Sequence, residues 1–461
     1  MDNSIKFEEF RNQYNEFLYN DFHVSEDDNG IYLKYEFEIP GLTMFNPQIK
    51  ILKKSLRIKD INTNYVKNMA FHIGLIELIS YWKCTCSPKI VIKCGFLNQE
   101  QIEWWKKLYF YGLGELFYRN NIKTNIHDFV TIECTGEENK IEYEKIMDDS
   151  NGYIVPIGGG KDSVVTLETL QVDRKKDYCL IVNPKNATLD CAKVAGFEYA
   201  NIIEVYRSID KNLIDLNSKG YINGHTPFSA MLAFLTYFIA YMLSKKYVAL
   251  SNENSANESN VVGEKINHQY SKSFEFERDF IEYADKYLKA PVKYFSFLRP
   301  LNELQIAKIF SRHEKYHKVF KSCNVGSKEK EWIWCCNCAK CLFAYTILSP
   351  YLYKEKLINI FGQDLFERED LLSTFIDLTG YGETKPFDCV GTFEEVNFAL
   401  SKTILNLEKQ NGQLPYLLKY YKENYGLANM DEDITLKYNE ENNLNEEQNE
   451  LLRREVFLSD K

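Results

Sequence analysis

Residues 158–163, Gly158-Gly159-Gly160-Lys161-Asp162-Ser163, put three glycines, a cation, a carboxylate and a hydroxyl on six consecutive positions. Glycines let backbone N–H groups close on an oxyanion, and a helix beginning there adds unpaired N–H groups and the positive end of its dipole. The spelling is not Gly-x-x-x-x-Gly-Lys-Ser/Thr, because Lys161 directly follows the glycines and Asp162 falls where that layout has no acid. Nor is it Gly-x-Gly-x-x-Gly, since Ser163 fills the third glycine's place. A second group of reactive side chains is Cys323, Cys335, Cys336, Cys338 and Cys341, five thiols in nineteen residues. The Cys335-x-x-Cys338-x-x-Cys341 spacing, with Cys323 twelve positions upstream, supplies four soft ligands for a structural, tetrahedral zinc. Cys336 is left over by this count and could exchange with Cys335. An iron–sulfur cluster is the rival occupant.

The glycines follow an apolar strand, Tyr153–Ile157, and precede a helical pattern through Val164, Val165, Leu167 and Leu170. From 150 to 300 that alternation repeats. Candidate strands are Tyr153–Ile157, Tyr178–Val182, Asn201–Val205, Tyr247–Leu250 and Tyr294–Leu298, with helices at about 163–172, 188–196, 227–244 and 272–289. Strands spaced by helices predict a parallel sheet covered on both faces, with ligands at the carboxyl ends of the strands. Polar segments 183–186, 223–227, 251–258 and 267–273 follow or neighbour those ends, so one rim collects them. Thr226 is the expected cap, and Pro227 the first residue, of the apolar helix after 227.

Residues 1–145 alternate strand-like runs (31–39, 49–58, 90–94) with helical ones (68–82, 99–117) and read as an α+β domain. Residues 150–310 form the α/β domain, and 311–461 a Cys-cluster and mostly helical region. At 461 residues and 45% hydrophobic the chain is globular. Its net charge of −10 disfavours a nucleic-acid partner. Residues 430–461 carry ten acids against four bases, and 440–450 read as a solvated helix or a frayed end. The apolar run 227–243 is interrupted by Ser229, Thr236, Tyr237 and Tyr241, which fits a buried helix better than a membrane span. Twelve cysteines without a secretory leader point to a reducing cytoplasm. No feature specifies an oligomeric state.

The loop resembles the pyrophosphate-binding loop of the ATP pyrophosphatases, written Ser-Gly-Gly-x-Asp-Ser, with Gly158 replacing the first serine and its hydroxyl. The cysteine arrangement resembles that of 7-cyano-7-deazaguanine synthase, a zinc-bearing member of the same group. Asn-Gly-His-Thr-Pro at 223–227, Ser-Asn-Glu-Asn-Ser-Ala-Asn-Glu at 251–258, the 267–277 segment, Leu-Arg-Pro-Leu-Asn-Glu-Leu-Gln-Ile-Ala at 298–307 and Trp-Cys-Cys-Asn-Cys-Ala-Lys-Cys-Leu-Phe at 334–343 narrow the likeness. Together they resemble the MurL family, the UDP-N-acetyl-α-D-muramoyl-L-alanyl-L-glutamate epimerases.

That resemblance implies a five-stranded parallel PP-loop (HUP-like) domain and an ATP- and Mg²⁺-dependent inversion of the terminal L-glutamate of a UDP-sugar dipeptide, releasing AMP and pyrophosphate. Under it, Gly158, Gly159, Gly160, Lys161, Asp162 and Ser163 hold the phosphates, Lys161 neutralises developing charge, and Asp162 helps place Mg²⁺. His268, Lys272 and His225 are the acid–base candidates, since histidine titrates near neutrality and a desolvated lysine can be brought there. Asn252, Glu253, Ser255, Asn257, Glu258 and Arg299 are the substrate candidates, Arg299 as a partner for a phosphate or carboxylate. The rivals are an ammonia-dependent amide or nitrile synthase, an epimerase of a different peptide, and a nucleotide-binding module without chemistry. A tRNA thiolase is disfavoured by the acidic charge balance.

Overall fold

Capping and alternation account for most element boundaries. Thr63 accepts the Val66 N–H to start helix Asn64–Trp82, and an Asn98–Gln101 capping box starts helix Gln99–Gly112. The computed structural model describes residues 3–53, 58–137, 150–260, 266–382 and 384–457. Its strands are β1 (Glu16–Glu26), β2 (Gly30–Ile39), β3 (Thr43–Phe45), β4 (Gln48–Leu52), β5 (Lys89–Ile92), β6 (Thr131–Cys134), β7 (Tyr153–Pro156), β8 (Tyr178–Val182), β9 (Ile202–Arg207), β10 (Tyr247–Leu250) and β11 (Lys293–Ser296). They are hydrogen-bonded in the order β11-β10-β7-β8-β9-β4-β2-β1-β5-β6, with β3 on β2. The sheet is mixed: β1, β2 and β4 pair antiparallel, while β5 on β1, β6 on β5 and β10 on β7 are parallel. The protein is therefore α/β, and the five strands expected between 150 and 300 are neighbours in it.

The chain packs as two units, each discontinuous in sequence: Met1–Ile154 with Ile203–Val248 and Lys265–Tyr294, and Val155–Ile202 with Ala249–Glu264 and Phe295–Lys461. In the first unit, helix Phe228–Met242 packs on helix Asn64–Trp82. Twelve of its fifteen residues are buried, which is why its composition is so apolar. Among the described residues no helix is long and apolar enough to cross a membrane. In the second unit, helix Glu303–Ser311 packs against helices Lys161–Thr169, Ala339–Leu348, Phe393–Lys409 and Glu446–Phe457.

Several boundaries differ from the sequence reading. The strand expected over 49–58 ends at Leu52; residues 54–57 lie outside the described ones. The helix expected over 99–117 breaks at Leu113, between Gly112 and Gly114. A Cβ on Gly112 would sit 2.7 Å from Pro227 Cγ, so close packing demands glycine where the helix is weakest. β1 carries charges along its exposed half, which hides its alternation. Pro227 itself caps the long apolar helix, one residue later than expected. In the acidic tail, helix Glu446–Phe457 buries Gln448, Leu452 and Val456, so part of that segment is docked rather than solvated.

The first unit also buries an uncharged histidine. His72 lies 2.8 Å from Asn68 O and 2.9 Å from Tyr283 Oη, and burial pushes its pKa down to about 4. The unfolded chain takes up that proton near pH 6.5 and the folded one does not, so stability present above 6.5 falls as pH drops toward 4. The difference corresponds to about 3 kcal/mol. Thermal melts from pH 7 to pH 4 should show a decline that His72→Phe reduces; an unchanged pH profile in that variant would assign the decline to other groups.

Candidate functional site

In the second unit, β7 runs into the glycine loop and the loop into helix Lys161–Thr169. Gly159 has φ +77°, and a Cβ there would stand 3.3 Å from the Ala187 and Thr188 backbone. Gly160 is the helix N-cap with no side-chain cap, which leaves the first N–H groups of the helix for an anion. Ser163 Oγ donates to Gly160 O, and Thr166 Oγ1 donates to Ser251 Oγ at 2.8 Å, tying the helix to the loop after β10. At Gly158 a Cβ would meet no atom within 4 Å. Gly158→Ser should therefore leave the melting temperature within about 2 °C of the parent. Gly159→Ala should cost about 1–3 kcal/mol and weaken anion binding, because alanine is strained at that φ. Denaturant titration of both variants checks the contrast.

Lys161 is 5% exposed, and its ammonium contacts both Asp162 and Glu303. Burial works against its charge, but the two carboxylates prevail and hold the lysine protonated. Glu303, fully desolvated and near Asp162 and Glu253, is pushed upward although Lys161 pulls it down. Glu395 is buried beside this group. Its Oε1 accepts from Ser255 Oγ and from Glu303 N at 2.8 Å, so the helix start at Glu303 and the 251–258 loop share one carboxylate.

The substrate candidates divide by burial. Arg299 is 0% exposed; its Nη1 donates to Glu253 O at 2.8 Å and its Nη2 to Ser296 Oγ at 3.4 Å. Burial and these bonds make Arg299 a clamp on the loop backbone, next to the segment where the sequence reading places it as a partner for a phosphate or carboxylate. Asn252 donates to Ser296 Oγ at 3.0 Å, and Asn252, Glu253 and Ser255 are all buried. Asn257 is exposed, and Glu258 is ion-paired with Lys385. Asn254, Ser255, Asn257 and Glu258 line a cavity of about 520 Å³ that also reaches Glu395 and Tyr438.

The acid–base candidates come together in the first unit. His268 Nδ1 lies 2.5 Å from Glu115 Oε2, and His225 Nδ1 lies 3.8 Å from the same oxygen. The two imidazole centroids are 4.2 Å apart. Gly224 is pinned beside Leu116, and Lys83 Nζ donates to Gly224 O at 2.6 Å, which fixes the approach of His225. Burial, then His268, lowers the His225 pKa to about 3, so the ring is neutral across the working range. Burial also lowers Lys83, to about 8. Lys272 lies in the 3₁₀ turn Tyr270–Lys272, and its charge also opposes protonation of His225.

Sequence reasoning missed Glu115, which sits 110 residues before His225 in a helical segment with no motif of its own. The carboxylate and two rings are compact enough to hold a cation, their ligand atoms all within 4.8 Å of one another. Arg119 on Glu115, with Lys83 and Lys272 acting on His225, makes the surroundings cationic, which suits proton transfer or an anion better.

The four predicted cysteine ligands also converge, in the second unit. Cys323–Cys338 and Cys335–Cys341 are each 3.8 Å between sulfurs, and Cys338–Cys341 is 3.5 Å. Tetrahedral zinc with bonds of about 2.3 Å holds sulfurs about 3.8 Å apart, so the donor set fits one metal ion. A cluster that binds each thiolate to a separate iron needs wider spacing. Cys336, at φ +56°, points its sulfur to Phe361 O at 3.1 Å, which leaves Cys335 in the set. Gly326 N donates to Cys323 Sγ at 3.0 Å, as a thiolate requires. Purified protein should carry about one zinc per chain by mass spectrometry, and Cys341→Ser should remove it with a lower melting temperature. Stoichiometric iron instead would reassign the site.

Comparison with known proteins covers most of the chain. Residues 8–297 match the family described as the MurL N-terminal domain and 319–430 the MurL C-terminal domain. A UDP-N-acetyl-α-D-muramoyl-L-alanyl-L-glutamate epimerase of Xanthomonas oryzae pv. oryzae is 30% identical over 350 residues, 74% of this chain and 75% of that protein. Proteins of the same name from a Micromonospora species and from Salinispora tropica are 32% and 33% identical, over 71% of this chain each and 73% and 71% of their own lengths. No solved structure matches the chain.

Proposed function

The chain belongs to the MurL family, and on that premise we propose that it epimerises a peptidoglycan precursor, turning the terminal L-glutamate of UDP-MurNAc-L-Ala-L-Glu into D-glutamate. In this reading ATP is cleaved to AMP and pyrophosphate as the glutamate carboxylate is adenylated. The observation that carries it is the strand order around the glycine loop. Counted from β7, the strands run 3-2-1-4-5, the doubly wound order whose reversal point binds nucleotides. The loops that follow the two strands at that reversal, β7 and β10, are 158–163 and 251–258.

The chemistry explains why activation is needed. A free carboxylate resists loss of the neighbouring proton because a dianion results. As a mixed anhydride with AMP the carboxyl group loses its charge and the α proton becomes acidic. Gly159, Gly160 and the start of helix Lys161–Thr169 bind the phosphate oxygens, and Lys161 keeps Asp162 and Glu303 from repelling them. Asp162, with its side chain 29% exposed, fits a magnesium ion that would shield the phosphate charge.

Proton transfer falls to the histidine pair. Glu115 accepts the Nδ1–H of His268, which leaves Nε2 as the ring's proton acceptor, and His225 is a second, neutral acceptor. Incubation with ATP, Mg²⁺ and UDP-MurNAc-L-Ala-L-Glu in D₂O tests the reading. Deuterium at the glutamate α carbon together with AMP release is expected. ADP and phosphate, or no exchange, would overturn it. A product that forms only with ammonia would reassign the enzyme to amide or nitrile synthesis.

A further inference from the structure

We propose that Lys321 is a phosphate-binding residue of this enzyme, supplying the positive charge for the β and γ phosphates of ATP and hence for the departing pyrophosphate. The inference rests on the nucleotide reading of the glycine loop. The lysine inside that loop does not offer a spare charge, because Lys161 is buried between Asp162 and Glu303. A triphosphate needs a cation that is not already matched.

Lys321 meets that need from another part of the same unit. Its backbone N–H donates to Gly159 O at 2.8 Å, and a Cβ on Gly160 would stand 3.4 Å from the Cβ of Ser322. The segment carrying Lys321 is thus laid along the glycine turn. Two residues later Cys323 enters the four-thiol group, which anchors the segment from its far side. Among the described residues the ammonium donates to the backbone carbonyls of Lys318 and Phe320, each at 3.2 Å, and lies 5.9 Å from the centre of the Trp334 ring. Among the described residues no carboxylate pairs with it.

Partly buried and facing backbone carbonyls and an aromatic ring, the ammonium has no carboxylate counter-charge among the described residues. A phosphate oxygen would supply that charge in a charge-assisted hydrogen bond.

The test uses the full-length protein with its native metal content. Binding of ATP, inorganic pyrophosphate and AMP is measured by titration calorimetry for the parent, Lys321→Gln and Lys321→Arg. Melting temperature and zinc content serve as controls of folding. Lys321→Gln is expected to weaken ATP and pyrophosphate about 10–100-fold, to leave AMP unchanged, and to retain both controls. Lys321→Arg is expected to recover most of the loss. Equal affinity of parent and Lys321→Gln for ATP and pyrophosphate would overturn the proposal, as would an equal loss for ATP and AMP. If Lys321→Gln melts early, comparison of Lys321→Arg with the parent decides: near-parental ATP affinity supports the charge, and a loss as large for AMP as for ATP overturns it. A parent protein that binds neither ATP nor pyrophosphate would defeat the nucleotide reading itself.

Discussion

Lys161→Met is expected to destabilise the second unit by about 3–5 kcal/mol and to lower AMP formation by about 10²–10³-fold. The stability loss follows from burial. Lys161 and Glu303 have side chains 7% and 2% exposed, and Asp162 contacts the same ammonium. Removing the cation leaves two carboxylates sharing a desolvated space, and Glu303, already pushed upward by burial, loses the charge that pulled it down. It then folds as the neutral acid, which costs free energy at neutral pH because the unfolded chain ionises it. Lys161→Met/Glu303→Gln removes the stranded charge and should recover most of the stability while AMP formation stays low. Denaturant titration separates the two effects. Recovery of AMP formation with stability would show that Lys161 serves the fold alone.

His268→Asn is expected to lower solvent exchange at the glutamate α carbon by about 10²–10⁴-fold, with ATP–pyrophosphate exchange preserved. The separation arises because the histidine group and the glycine loop belong to different units, each with its own packing. Glu115→Gln should give a smaller loss, since the amide keeps a hydrogen bond to Nδ1 but not the charge that favours the imidazolium. His225 is held neutral down to about pH 3 by burial and by His268, so any acidic limb between pH 5 and 7 belongs to another group. A pH–rate profile of His225→Asn should keep that limb. Exchange at the parental rate in His268→Asn would remove this ring from proton transfer.

The α/β alternation between 150 and 300 was legible because buried strands and amphipathic helices write their periods locally. Strand β1 was not legible. Its exposed half carries Asp21, Ser25 and Glu26, and it is a strand because β2 lies alongside it with a register shift between Tyr19 and Asp21. The break at Leu113 was hidden for a similar reason: Gly112 is required by Pro227, 115 positions away.

Among the site residues, the glycine loop and the cysteine spacing are local patterns, and the structure gathers both as spelled. Lys161 was read as neutralising developing charge; that it is held between two carboxylates was not legible, because Glu303 is 142 residues later. Arg299 was read as a partner for a phosphate or carboxylate; its bond to Glu253 O, made from the turn after β11, was not legible because sequence carries no measure of burial for an arginine.

The amino-acid sequence by itself determined what short-range chemistry can specify: a glycine turn between strand and helix at 158–163, a four-thiol group with one ambiguous member, and a strand–helix alternation to present them. Tertiary structure alone decided which of Cys335 and Cys336 joins the set, which carboxylate holds His268, and which charge neutralises Lys161. The physical reason is the same in each case. Capping, turn and metal spacing act over a few residues and leave a pattern, whereas the contacts that settle these three cases join residues 25 to 153 positions apart and form only when the chain closes on itself.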